Sequence, residues 1–478
     1  MPKIDRAILP ELLVRILLPL FVLGFIHLSP VPRSLNQSLQ VLSKRNSASA
    51  ETLSSAIRQV LVYQPWRTSF WEELGGVEAQ AENYPAAVSA YRTAQAMSAL
   101  SVDGEFALGL AYENQHESAS ALQVYLHLAK QSARSDAFLK AYAIQSSTSD
   151  WAGAESTLRA WLAATPWDAQ ANYALGKLLA VARPAECGSY LILAGQINSN
   201  LANPAAMILH VAQKPDSPTQ PGERLVNTGR VLAGDGDWTL AGHAFQLAVQ
   251  ADSEYAEAWA LLGEANQHTQ SSGGIAELTT ALHLAPDSTL VQVLTALYWE
   301  RKGKPELALV YLHQAADAEP SEPTWQIELG NTLAMMGNPE AGLAYIRRAV
   351  ELDHNDAQSW RMLADYCFSY DVQVRETGLP AARQGLMLAP DNPEGLDLMG
   401  WGMIKLGDLV SAERFLQRAV QGDPDSARIH LHLGEYYLAG ERYDMAGYEL
   451  TLALTLTDED SEIARTARQL IKRNLTVN

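Results

Sequence analysis

The chain has 478 residues, 54 of them acidic and 35 basic, for a formal net charge of −19. Non-specific binding to nucleic acid or to anionic lipid needs basic patches, and this balance argues against both. The two cysteines, Cys187 and Cys367, each sit inside a predicted helix. They read as small buried hydrophobes and give no support to a disulfide framework or a metal cluster.

The N-terminal segment, 1–33, differs from everything after it. Ile16 to Leu28 is continuously apolar apart from His27, and counted from Leu12 the stretch is 17 residues long with Arg15 inside. That is the short end for a membrane-spanning helix. No small-x-small cleavage site follows, so the segment reads as an uncleaved anchor over Leu12–Leu28. A cleaved signal and a cytoplasmic helix docked on the rest of the chain stay open as alternatives. Lys3, Arg6 and Arg15 precede the segment and Arg33, Lys44 and Arg45 follow it, which leaves orientation undetermined. The expectation is a single-pass protein with the bulk of its chain outside the cytoplasm; a cytoplasmic location is the alternative.

Beyond residue 33 the apolar pattern is helical throughout. Pro393–Pro424 shows the unit: Leu396, Met399, Met403 and Leu406 form one stripe, Gly407-Asp408 breaks it, and Ala412, Phe415, Leu416 and Ala419 form a second stripe. Gly400 lies inside the first stripe, where it lets a second helix approach. The unit recurs 34 residues later, with Gly434 for Gly400, Ala446 for Ala412 and Ala453 for Ala419. Trp71-Glu72-Glu73-Leu74-Gly75 with Ala87, Tyr91 and Ala94, then Trp259 to Gly263 and Trp360 to Ala364, repeat its opening. These residues resemble the tetratricopeptide repeat, about eleven times over. The resemblance implies an all-α fold, an α-α superhelix of antiparallel hairpins.

Taken in order, 34–213 is an N-terminal array whose first hairpin, closed by Pro65, is degenerate. Its fourth hairpin breaks at Arg183-Pro184. Ala205–Gln213 is a short extra helix, and 214–221 is a turn-rich linker or inserted loop. A second array, 222–460, carries one lengthened turn, Ser369–Thr377. Residues 461–478 form a capping helix with cations at its C-terminal end.

Catalytic and metal-binding patterns are missing: there is no His-Glu-x-x-His, paired Cys-x-x-Cys or phosphate loop. Gly234-Asp235-Gly236-Asp237 falls at an interhelical turn and is followed by no calcium-ligand series. His430 and His432 are two apart on a helix, which is poor geometry for sharing a metal. The expectation is no enzyme, no cofactor and no metal.

In the tetratricopeptide family the first helices line a concave groove that holds partner peptides. The resemblance places that groove six and three residues before the signature small residue and one and four after it. The acids there are Glu72, Asp103, Glu113, Asp136, Glu223, Glu257, Glu264, Glu300, Asp365, Glu394, Asp397 and Glu435. The bases are Lys177, Arg230, Arg361 and Arg428; the expected exposed aromatics are Phe106, Tyr173, Phe368 and Trp401. Lys177 and Asn331 lack the companions with which some family members clamp a C-terminal carboxylate. The functional expectation is a membrane-tethered scaffold presenting this groove to a basic or neutral segment of a protein partner. A docking or regulatory subunit of a separate enzyme and an RNA-binding helical-repeat protein are the rivals.

Overall fold

The computed structural model describes residues 32–45, 48–269 and 273–475. The expected anchor, Leu12–Leu28, lies outside the described residues. Among those described, no helix is long and apolar enough to cross a membrane. The fold is all-α, with one isolated bridge between Ser217 and Gln220.

The first compact unit extends to Lys214. It pairs α1 (Arg33–Ser43) with α2 (Ala50–Tyr63), α3 (Thr68–Gln80) with α4 (Tyr84–Met97), and α5 (Val102–Asn114) with α6 (Ser118–Ser132). Next come α7 (Ser135–Ser147) with α8 (Trp151–Ala164) and α9 (Ala169–Ala182) with α10 (Pro184–Ile197). A single helix, α11 (Ala202–Ala212), follows and packs on α9 and α10.

The second unit begins at Pro215. Its pairs are α12 (Glu223–Gly234) with α13 (Trp238–Ala251), α14 (Ala256–Thr269) with α15 (Ile275–Leu284), and α16 (Thr289–Arg301) with α17 (Pro305–Ala318). Then come α18 (Pro323–Met335) with α19 (Pro339–Leu352) and α20 (Ala357–Ser369) with α21 (Leu379–Leu388). Last are α22 (Pro393–Lys405) with α23 (Leu409–Gly422), α24 (Ala427–Ala439) with α25 (Tyr443–Thr455), and a lone α26 (Glu462–Asn474) against α25. The described residues thus hold twelve hairpins, the first of them formed by α1 and α2.

Three devices recur among the hairpins. The first is the signature small residue of the first helix. A Cβ added at Gly400 would lie 2.6 Å from Leu416, and one at Gly434 equally close to Leu450, so these glycines set the helix–helix distance. Ala412, Ala419, Ala446 and Ala453 complete the seam with no exposed surface. The second device is a left-handed turn residue between the helices, seen at Glu82, His116, Ser149, Gly236, Gly303, Gly337, Gly407 and Glu441. Glycine adopts that conformation freely and other residues do so under strain.

The third device joins one hairpin to the next. Trp71, Trp259 and Trp360 each donate the indole N–H to the carbonyl oxygen six residues earlier, at 2.8–2.9 Å. Gln292 and Asn172 do the same with side-chain amides, and His430 uses Nε2, 2.9 Å from the Pro424 oxygen. His430 therefore occupies a tryptophan position and locks two hairpins together; its Nδ1 lies 2.6 Å from Glu449. Cys187 and Cys367 are buried thiols, and Cys187 Sγ donates to the Pro184 carbonyl oxygen at 3.1 Å.

Candidate functional site

First helices of successive hairpins touch one another: α3 with α5, α14 with α16, α20 with α22, and α22 with α24. Side chains spaced three or four apart on these helices share a face. That periodicity brings the expected stripe residues of α20, α22 and α24 together in the second unit. Trp401 is the centre. His432 stacks on its indole at 4.3 Å between ring centroids and 14° between planes, and Phe368 meets it edge-on at 5.8 Å. The indole N–H donates to Glu435 at 2.8 Å. Lys405 Nζ stands 5.1 Å from the ring centroid.

A charged chain runs beside this aromatic stack. His432 Nδ1 lies 2.8 and 2.9 Å from the two Asp397 carboxylate oxygens. Arg428 Nε is 3.8 Å from Asp397, and the same guanidinium binds Asp365 on α20. Asp397 and His432 are almost wholly buried, at 1% and 3% exposure. An unpartnered carboxylate there would be strongly disfavoured; the His432 ring nitrogen and the Arg428 guanidinium satisfy it. Nearby, Arg361 Nε reaches Glu394 at 3.4 Å.

The remaining stripe residues are distributed along both units. In the second, Arg230 pairs with Glu257 at 3.1 Å, and Arg301 clamps the buried Glu264 through both terminal nitrogens. His268 lies 3.2 Å from Glu264 and stacks on Trp238. Glu300 accepts from the Thr332 hydroxyl at 2.6 Å and makes no ion pair among the described residues. Its neighbour Glu328 is held above the usual carboxylate range by burial and by the Glu300 charge. Glu223 is half-buried at the start of α12.

In the first unit Arg134 bridges Asp103 at 2.6 Å and Asp136 at 2.7 Å while covering the Phe106 ring at 4.5 Å. Glu113 accepts from the Tyr125 hydroxyl at 2.7 Å and pairs with Lys140 at 2.9 Å. Lys177 stands 4.9 Å from the Tyr173 ring. Glu72 accepts from Ser101, the residue that caps α5. A cleft of about 520 Å³ opens here, lined by Arg45, Glu72, Glu73, Tyr91 and Asp103.

Two expectations are corrected. Tyr173, Phe368 and Trp401 are not exposed: they retain 8%, 0% and 9% of their surface. Trp401 and Phe368, one and four after the small residue, pack against neighbouring first helices, while Tyr173, three before it, is buried on α9. Phe368 fills the space above Gly378 and Gly402. Nor is the stripe an open row of acids. Arg134, Lys140, Arg301 and Lys405 lie just off the four expected positions and neutralise or cover much of it. A fifth stripe position, two before the small residue, also faces the adjacent repeat; it supplies Glu73, Glu328 and His432. Both features follow from adding neighbouring helix positions to the pattern.

Two segments, residues 301–366 and 400–461, match family models described as tetratricopeptide repeat. A TPR repeat-containing protein of Pseudomonas aeruginosa is 40% identical over 70 residues, which are 14% of this chain and 12% of that protein. This chain therefore spans only a small part of the length of that relative. Among solved structures, a tetratricopeptide repeat protein from Parabacteroides merdae is 13% identical, with a TM-score of 0.42 over 52% of this chain and 98% of that one. The APC/C hetero-tetramer Cut9-Hcn1 gives 13% identity and a TM-score of 0.41 over 93% of this chain and 97% of that one. YrrB, described as a TPR protein with an unusual peptide-binding site, gives 18% and 0.28 over 40% and 97%. These structural likenesses are loose. The family models match inside a run of hairpins that share the same small-residue seam and turn positions, and the chain contains tetratricopeptide repeats in those two segments.

Proposed function

We propose that the chain is a non-enzymatic interaction scaffold whose first-helix stripe in the second unit holds a basic or neutral segment of a protein partner. The observation that carries this is the pattern of charge satisfaction. Most stripe acids are matched by cations from the neighbouring helix, whereas Glu223, Glu300, Glu328 and Glu435 have no ion pair among the described residues. Unmatched carboxylates on a face of packed helices favour cationic groups of a partner and repel acidic ones. The Trp401–His432–Asp397–Arg428 network gives that face a fixed surface, so little ordering is required on binding. Glu72 and the cleft around it extend the same reading to the first unit.

The tether proposed for this scaffold is Leu12–Leu28, which would place the arrays beside a membrane, on its extracytoplasmic side. The turn-rich stretch 214–221 is proposed as the joint between the arrays; limited proteolysis that spared it would count against an exposed joint.

The test is affinity capture from a membrane fraction with the native chain and with a triple variant, Glu223→Lys, Glu300→Lys and Glu435→Lys, quantified by mass spectrometry. Partners of the native stripe should be lost from the triple variant and kept by Glu351→Lys, which reverses an acid of the second-helix face. If both variants retain the same partners, the binding face lies elsewhere.

A further inference from the structure

We propose that the groove between α21 and α22, beside the irregular turn of the second unit, docks an acidic segment of a partner protein bearing one apolar side chain. This surface has the opposite charge preference to the first-helix stripe and does not depend on it.

Left-handed turn residues recur at Gly303, Gly337 and Asp371, 34 residues apart, and the next, Gly407, comes 36 after Asp371. The two extra residues are accommodated by a second left-handed residue, Gln373, and a π-helical turn over Val374–Gly378. The insertion is well anchored. Val372 is buried in the core, and the Thr377 and Gly378 amides both donate to the Gln373 carbonyl, at 2.8 and 3.0 Å.

This anchored turn presents Arg375, and α21 presents Arg383 eight residues later. Both side chains are exposed. Neither makes an ion pair or hydrogen bond among the described residues, although the chain carries a surplus of acids. Between them lies an open cleft of about 470 Å³ with Leu379, Met403 and Leu406 along its floor. At its rim stands Asp408, whose carboxylate is engaged by the Ser411 amide at the start of α23. The floor suits an aliphatic side chain. The two guanidiniums present planar donor forks matched to carboxylates. No feature of the hairpin fold requires either arginine, which leaves an anionic partner as the complement of the site.

The probe is a fluorescein-labelled pentapeptide, Glu-Asp-Leu-Glu-Asp, titrated by anisotropy into the full chain at low salt. Two control peptides replace the acids by their amides or the leucine by serine. The native chain should bind the first peptide and lose about tenfold in affinity, or more, with either control. The double variant Arg375→Glu and Arg383→Glu should lose binding by a similar factor while keeping its thermal unfolding midpoint. Arg465→Glu, on α26, should bind as the native chain does. Absence of binding by all three peptides overturns the proposal. So does equal binding of the leucine and serine peptides, which would reduce the groove to a charge patch. Preferential binding of phosphatidylserine vesicles or oligonucleotide at the same arginines likewise overturns it.

Discussion

The Asp397–His432 pair supports the candidate site, and it gives the sharpest test of how that site is held. Both side chains are buried, and the contact joins two first helices, α22 and α24. Leaving a buried carboxylate short of a hydrogen-bond partner costs about 1–3 kcal/mol, and more when the group is charged. Arg428 remains 3.8 Å from Asp397 and offsets part of that loss. His432→Gln is therefore expected to cost about 2–3 kcal/mol, and Asp397→Asn roughly 2 kcal/mol. The double variant should fall short of the sum by about 1–2 kcal/mol, because the second substitution removes a group already orphaned by the first. Repeat arrays open locally, so hydrogen exchange of the α22 and α24 amides is the preferred readout, with urea midpoints as a check. Strict additivity, or single losses below about 0.5 kcal/mol, would refute the claim that this pair anchors the site.

Four further outcomes follow from the geometry. A Cβ at Gly407 meets no atom within 4 Å, so Gly407→Ala should lose about 1 kcal/mol through backbone strain alone. Glu441→Gly, at φ +56°, should instead gain a few tenths; equal signs in urea unfolding would contradict this. Burial depresses His243 to about 4 from an ordinary 6.5. The unfolded chain binds the proton first, so stability falls as pH drops from 6.5 towards 4, by at most roughly 3 kcal/mol, and His243→Gln should flatten that slope in acid titrations. Burial and Glu300 raise Glu328, so the folded state takes up the proton more readily and stability falls as pH rises through that range. Glu328→Gln should remove the dependence and stabilise the array at neutral pH. Burial pushes the Cys367 thiol up to about 12, and neither cysteine should react with a thiol reagent until the array is unfolded.

The hairpins were legible because their signals are local. Gly400 and Gly434 with the alanines opposite them record helix contact, and Gly303, Gly337 and Gly407 record turns. The lengthened turn after Ser369 was visible as a break in the period. What the pattern could not show was the pairing of charges between repeats. Arg134 and Asp103 are 31 residues apart, and Arg301 and Glu264 are 37 apart. Neither distance equals the 34-residue period, because long side chains reach diagonally between helices. The four-position stripe also treated Trp401 as a surface residue, although the adjacent helix encloses it. His430 and His432 show the same limit: one replaces a tryptophan in a structural contact and the other completes a buried network.

These pairings alter what the acidic composition implies about specificity. A net charge of −19 suggests a surface that attracts cations everywhere. On the stripe, however, Asp103, Glu113, Asp136, Glu257, Glu264, Asp365, Glu394 and Asp397 are all engaged by cations of the same chain. Such pairs fix neighbouring repeats relative to each other and present little net charge to a partner. On the proposed reading, selectivity rests on the few groups left over: carboxylates such as Glu300 and Glu435 on the stripe, and the guanidiniums of Arg375 and Arg383 beside the irregular turn. A partner contacting both surfaces would need basic and acidic segments in separate places. That requirement is far more selective than attraction to an acidic protein.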